Sequence, residues 1–128
     1  MCSLQPGVPG VSETIRVRSV VGRFLEHSRI FRFGEGERER YLIGSADIME
    51  RNLDRRVEAA APVRDAALQA RLREIIEIML ADDRRAWVLG GDAVWRRAES
   101  LTDTPSSLDT FRALMDVTLA SAIPRVVT

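Results

Sequence analysis

The segment from Asp65 to Leu80 constrains this chain more than any other feature. Behind Asp65, whose side chain suits a helix N-cap, Leu68, Leu72, Ile75, Ile76, Met79 and Leu80 recur at spacings of three and four. That spacing lays them along one helical face. The apolar runs on either side are short and are cut by Gly, Pro and Ser. One clear helix among short strand-like runs predicts a mixed α/β fold, with a mixed sheet of about four or five strands and about three helices. So few elements make a thin core.

Residues 1–11 read as a loop, because Pro6-Gly7-Val8-Pro9-Gly10 continues neither helix nor sheet. A loop at the start of a domain points to a chain that begins inside a longer structure. Ser12 suits an N-cap, and Ile15, Val20 and Phe24 (or Val21 and Leu25) predict a helix through residue 25. Arg29 to Phe33 and Tyr41 to Ile43 predict a hairpin across Gly34-Glu35-Gly36-Glu37, with the second strand running into Gly44-Ser45. Residues 46–53 read as a loop with a helical turn, and 57–61 as a strand closed by Pro62. On the long helix, Arg73 and Glu77 form an i,i+4 pair in the less favoured order. Residues 86–89 and 93–96 predict a second hairpin across Gly90-Gly91-Asp92, with Trp87 and Trp95 in the core. A polar linker, 99–107, leads to a last helix capped by Ser107, carrying Leu108, Phe111, Leu114, Met115 and Leu119 and closed by Pro124.

The composition, 45% hydrophobic and 30% charged over 128 residues, is that of one small folded domain. No apolar run approaches the length of a membrane span, and the first residues lack the basic and apolar regions of a secretory signal. One cysteine, Cys2, excludes an internal disulfide and is expected to be inert, so the cytoplasm is the default compartment. Net charge is zero, so no global field draws nucleic acid or anionic lipid. All 19 basic residues are Arg, whose planar fork of donors suits phosphate oxygens.

His27 is the one histidine, in Leu25-Glu26-His27-Ser28-Arg29. An imidazole can move protons near neutral pH and can attack phosphorus. By itself a lone histidine carries no functional weight, but three neighbours add some. Arg29, two residues on, shares its face if the segment is a strand, so both can address one ligand. Gly44-Ser45-Ala46-Asp47 ends a strand with a residue that admits close approach, followed by a hydroxyl donor. Glu58 is an acid on an apolar run. A carboxylate that accepts from a histidine fixes its tautomer and favours its charged form.

Together, His27-Ser28-Arg29, Gly44-Ser45-Ala46-Asp47, Arg51 and Glu58 resemble one half-site of the phospholipase D superfamily. That pattern is His-x-Lys, Gly-Ser-x-Asn, a basic residue and an acid. Arg29 in place of Lys and Asp47 in place of Asn fit one branch, the polyphosphate kinases. The strings 4–10, 15–29, 51–58 and 80–87 are similar to that family, with Ile48 where Trp is expected. The resemblance covers residues 2–97 closely and the rest loosely.

The resemblance implies a phospholipase-D-like half-domain, with residues 1–98 as part of a C-terminal catalytic domain and 99–128 as its linker and last helix. Polyphosphate kinases reversibly transfer the terminal phosphate of ATP to inorganic polyphosphate, with Mg2+, and are several times longer than this chain. The histidine that becomes phosphorylated belongs to the other half-site, outside this chain. The histidine matched by His27 assists as an acid or orienting group. On this expectation His27 and Glu58 are catalytic, with Glu58 holding His27, and Arg29, Ser45, Arg51 and Arg23 bind phosphate. Arg16 and Arg18 either line a path for the polyanion or form a solvated helix face. The Mg2+ ligands are expected outside this chain. The expected partners are polyphosphate, ATP or ADP, upstream domains of the same enzyme and a further copy of the full-length protein, with no nucleic acid and no transmembrane segment. The isolated chain is expected to be inactive, because such a site needs two histidines. The alternatives are a dimeric phospholipase-D-like phosphodiesterase or nuclease, and a non-catalytic polyphosphate-binding fragment. Arg29 in place of Lys and the absence of a basic excess count against the first, whereas the single histidine favours the second.

Overall fold

In chain order the elements are β1 (Val17–Val20), β2 (Ile30–Phe33), β3 (Arg40–Gly44), α1 (Glu50–Arg55), β4 (Ala60–Val63), α2 (Ala66–Ala81), β5 (Ala86–Leu89), β6 (Trp95–Arg97) and α3 (Thr110–Ser121). Short 3-10 turns occur at Gly36–Arg38 and Ala98–Leu101. This computed structural model describes residues 4–104 and 106–121, so Cys2 and Pro124 lie outside the described residues. The α/β class matches expectation, as do two of the three expected helices, α2 and α3; α1 lies where a loop with a helical turn was expected. The strands form two separate three-stranded antiparallel sheets, β1-β5-β6 and β2-β3-β4, where one mixed sheet was expected. The chain divides into two compact units, Met1–Phe24 with Glu77–Thr128, and Leu25–Ile76.

In the first unit the expected helix over 12–25 is replaced by β1. Ile15-Arg16-Val17-Arg18 alternates with a period of two, and Ile15, Val17 and Val20 are β-branched. Pairing with β5, Val17 opposite Leu89 and Val20 opposite Ala86, settles the competition for strand. Ser12 caps no helix. Its buried hydroxyl accepts from the Val8 N–H at 3.0 Å and donates to the Gln5 carbonyl at 2.6 Å, closing the preceding loop on itself.

Asp82 organises this unit. It is 0% exposed, and its Oδ1 accepts from the N–H groups of Arg85 (2.6 Å) and Ala86 (2.9 Å) while Oδ2 accepts from that of Thr110 (2.6 Å). One carboxylate thus fixes the start of β5 and the start of α3. Asp109, not Ser107, caps α3, accepting from the N–H groups of Phe111 and Arg112. Ser107 instead adopts φ +58 and donates its N–H to Asp83. Phe111 lies over Gly22, where an added Cβ would sit 1.8 Å from the ring. The buried apolar side chains here are Ala86, Leu89 and Ala98. Trp87 is 36% exposed, contrary to its expected place in the core; the side chain of its neighbour Ala86, on the opposite face of β5, is the buried one.

In the second unit β3 is the central strand. It pairs with β2 through Phe31 opposite Leu42, and with β4 through Leu42 opposite Pro62. Pro62 therefore sits inside the strand and does not close it. As β4 is an edge strand of this sheet, a residue without an N–H is tolerated there. Asp65 caps α2 as expected, accepting from the Leu68 N–H at 2.9 Å. Arg73 of α2 does not pair with Glu77. It donates to the buried Glu39, at 2.5 Å from Nη2, and Glu39 also accepts from Tyr41 at 2.9 Å and from Arg32. A partly desolvated carboxylate facing two guanidinium groups and a phenol outcompetes an exposed i,i+4 pair. Together these bonds tie α2 to the β2–β3 hairpin. The core is thin, as expected: the apolar stripe of α2 is only half-buried, with Leu68 at 58% and Leu80 at 56% exposure.

Candidate functional site

The candidate residues of the second unit gather where β3 ends. The ladder begins one residue earlier than β2 itself, with the Gly44 N–H donating to the Arg29 carbonyl at 2.9 Å. Gly44 fits closely there: a Cβ would lie 3.1 Å from the Phe31 ring and 3.3 Å from the Ala59 carbonyl, so its neighbours would have to give by a few tenths of an ångström. Beyond it Ser45 extends the pairing with side-chain help. Its N–H donates to the Ala59 carbonyl at 2.9 Å, and its Oγ accepts from the Ala59 N–H at 3.0 Å. The same hydroxyl donates to Glu58 Oε2 at 2.5 Å.

Glu58 therefore lies in the arch between α1 and β4, two residues before the strand in which it was expected. Its other oxygen, Oε1, accepts from Asn52 Nδ2 at 2.8 Å. Asn52 is 2% exposed on α1, and its own Oδ1 has no partner among the described residues. The expected hydrogen bond from His27 to Glu58 is not formed; the partners of the carboxylate are Ser45 and Asn52. Those two bonds, then the charges of Arg56 and Arg29, hold the Glu58 carboxyl below its usual range.

Arg29 pairs with Asp47. Nε donates to Oδ1 at 2.9 Å and Nη2 approaches Oδ2 at 3.4 Å, with both side chains partly buried. The bond to Arg29 lowers the Asp47 pKa most, followed among the favourable influences by the charges of Arg29, His27 and Arg51. Asp47 in turn raises the Arg29 pKa, and the charge of Glu58 adds to that. His27 itself is exposed and precedes β2 by three residues, so the strand-face argument linking it to Arg29 does not hold. Both lie near enough to Asp47 to help lower its pKa. Arg51 is exposed on α1. Arg23 belongs to the first unit, its guanidinium 6.0 Å from the Phe24 ring centre. Arg18, in the same unit, donates to the Asp82 carbonyl.

Asp47 and Asn52 stand in the strings that carry the family resemblance but were not expected among the site residues. Residue type alone separates neither from an ordinary loop acid or surface amide. Among the described residues no three His, Cys, Asp or Glu side chains come together as metal ligands. Asp47 and Glu58 are each committed to protein donors, so this cluster does not fit Mg2+.

An α/β fold with this cluster at the end of its central strand is that of a phospholipase-D-like half-domain. The family model of the polyphosphate kinase C-terminal domain 2 matches residues 1–108, and the chain belongs to the polyphosphate kinase family. A polyphosphate kinase of Thermosynechococcus vestitus is 60% identical over 99 residues, covering 77% of this chain and 14% of the relative. That of Pseudomonas aeruginosa is 52% identical over 97 residues, covering 76% and 14%. The crystal structure of polyphosphate kinase from Porphyromonas gingivalis superimposes on 94% of this chain and 18% of its own, with a TM-score of 0.83 and 34% identity. The chain thus spans about one seventh of the curated relatives it matches.

Proposed function

We propose that this chain is the second half-site of a polyphosphate kinase, which moves the terminal phosphoryl group of ATP to inorganic polyphosphate and back. The observation that carries this reading is the cluster at the end of β3. There Arg29, Asp47, Ser45 and Glu58 are fixed by mutual bonds, and the His27 charge is felt at Asp47. In the forward direction the bond from the γ-phosphorus to the bridging oxygen of ATP breaks as a bond to a histidine nitrogen forms. That histidine lies outside this chain. ADP leaves, and a terminal oxygen of polyphosphate then takes the phosphoryl group.

His27 supplies or withdraws the proton at the departing oxygen, or orients it. Arg29, Ser45 and Arg51 bind the phosphate oxygens on which transition-state charge accumulates, and Arg23 binds the polyanion. Glu58 fixes Ser45, and its remaining lone pairs are open to a His27 N–H when substrate draws the two together. Residues 1–98 form part of the C-terminal catalytic domain, and 99–128 are its linker and C-terminal helix. The full-length enzyme works with its upstream domains, as an oligomer, in the cytoplasm; Mg2+ would bind with the nucleotide. No helix among the described residues is long and apolar enough to cross a membrane.

The test is phosphate transfer from labelled ATP to polyphosphate, run on this chain alone and again with the upstream part of the enzyme added. Transfer only on addition supports a half-site served by a nucleophile from elsewhere. Transfer by this chain alone overturns the two-histidine argument. Polyphosphate binding without transfer under either condition favours the non-catalytic reading.

A further inference from the structure

The two positions at which this chain departs from the wider superfamily pattern, Arg29 and Asp47, are each other's partner. The geometry between them is specific. A guanidinium has two donor edges: a side edge of Nε and one Nη, and an end edge formed by both Nη groups. Asp47 takes the side edge, with Nε at 2.9 Å and Nη2 at 3.4 Å. Nη1 has no hydrogen-bond partner among the described residues, and a quarter of the Arg29 side chain remains exposed.

We propose that Asp47 is a positioning residue, which holds the side edge of Arg29 so that the end edge is presented to a pair of phosphate oxygens. This inference rests on the reading that phosphate is handled at this cluster. It explains why the two departures occur together. A lysine is a single compact charge without a second directional edge, so a carboxylate beside it would occupy the same ammonium that phosphate needs. An arginine can serve both at once, one edge to the carboxylate and one to the phosphate. Asp47 is itself steadied, because its backbone carbonyl accepts from the Met49 N–H at 2.8 Å.

The alternative role for Asp47 is a competitor that phosphate displaces. The two differ in sign, and inorganic tripolyphosphate binding to the 128-residue chain, followed by 15N NMR of arginine side chains, separates them. If Asp47 positions, tripolyphosphate leaves the Arg29 Nε–H resonance in place while perturbing its Nη groups. Asp47→Ala then loses the shifted Nε–H signal and weakens binding roughly tenfold, the worth of one charge-assisted hydrogen bond. Asp47→Asn keeps an oxygen against Nε and the shape of the loop, and recovers most of that affinity even if the alanine variant folds poorly. Arg29→Lys is expected to bind weakly beside Asp47 and better when combined with Asp47→Asn. Tighter or unchanged binding by Asp47→Ala, or displacement of the Nε–H resonance by tripolyphosphate, overturns the positioning role and leaves the phosphate reading intact. Failure of the unaltered chain to bind tripolyphosphate overturns both.

Discussion

Ser45 gives its hydroxyl proton to Glu58 at 2.5 Å while the same oxygen receives the N–H of Ala59 at 3.0 Å. A strand end, an acid and the arch between them are thereby joined through one oxygen. Ser45→Ala removes both bonds. The Glu58 carboxyl should titrate higher than in the unaltered chain, because the Ser45 bond is the largest influence lowering it. Carboxyl-carbon NMR across the acid range checks this. An unchanged Glu58 titration would show that the hydroxyl does not hold the carboxylate in solution.

Removal of His27 tests the assignment at its centre. A proton-transfer group contributes on the order of 100-fold or more to rate. His27→Ala, placed in the full-length enzyme, should therefore lose most of its transfer activity. Because His27 is exposed and makes no hydrogen bond among the described residues, its stability should change little. Near-normal transfer would remove His27 from the catalytic set.

Acid should weaken the second unit through Glu39. Its bond to Arg73, then those to Tyr41 and Arg32, lower its pKa from 4.5 to about 2 in the folded chain. As pH falls, the unfolded carboxyl takes up its proton first, so protonation favours unfolding. The contribution of Glu39 is complete above 4.5 and is lost as pH descends to about 2. Glu39→Gln should be less stable near neutral pH and should lose less stability on acidification. Parallel thermal melts through that range measure the difference, and identical pH slopes for the two proteins would falsify the linkage.

Asp82 should be the most sensitive polar position of the first unit. Asp82→Ala strands three backbone donors, those of Ala86 and Thr110 in buried positions and that of Arg85 in a partly buried one. The expected loss is about 3 kcal/mol or more, since each buried group left unpaired costs roughly 1–3 kcal/mol. Urea denaturation checks it. A loss as small as that of an ordinary surface substitution would mean that the start of α3 is not held by this carboxylate.

Local pattern carried several elements from sequence to structure. The β2–β3 hairpin, the β5–β6 hairpin and α2 with its Asp65 cap follow from periodicity and turn chemistry, which act over a few residues. The placement of the candidate residues was legible for the same reason: Gly44-Ser45 ends a strand, and His27 precedes one. Periodicity failed over 12–25, where the apolar residues fit two periods at once, and pairing with β5, more than 60 residues away in sequence, chose the strand.

The sequence by itself determined which residue types stand near the end of β3, and to which family they belong. Only the tertiary structure decided who bonds to whom. Arg73 chose Glu39 over Glu77, Glu58 took Ser45 and Asn52 in place of His27, and Asp47 took one edge of Arg29. The reason is physical. Periodicity places a side chain on a face, but several donors and acceptors then compete for it, and the outcome depends on distance and desolvation that exist only once the sheets and helices have packed.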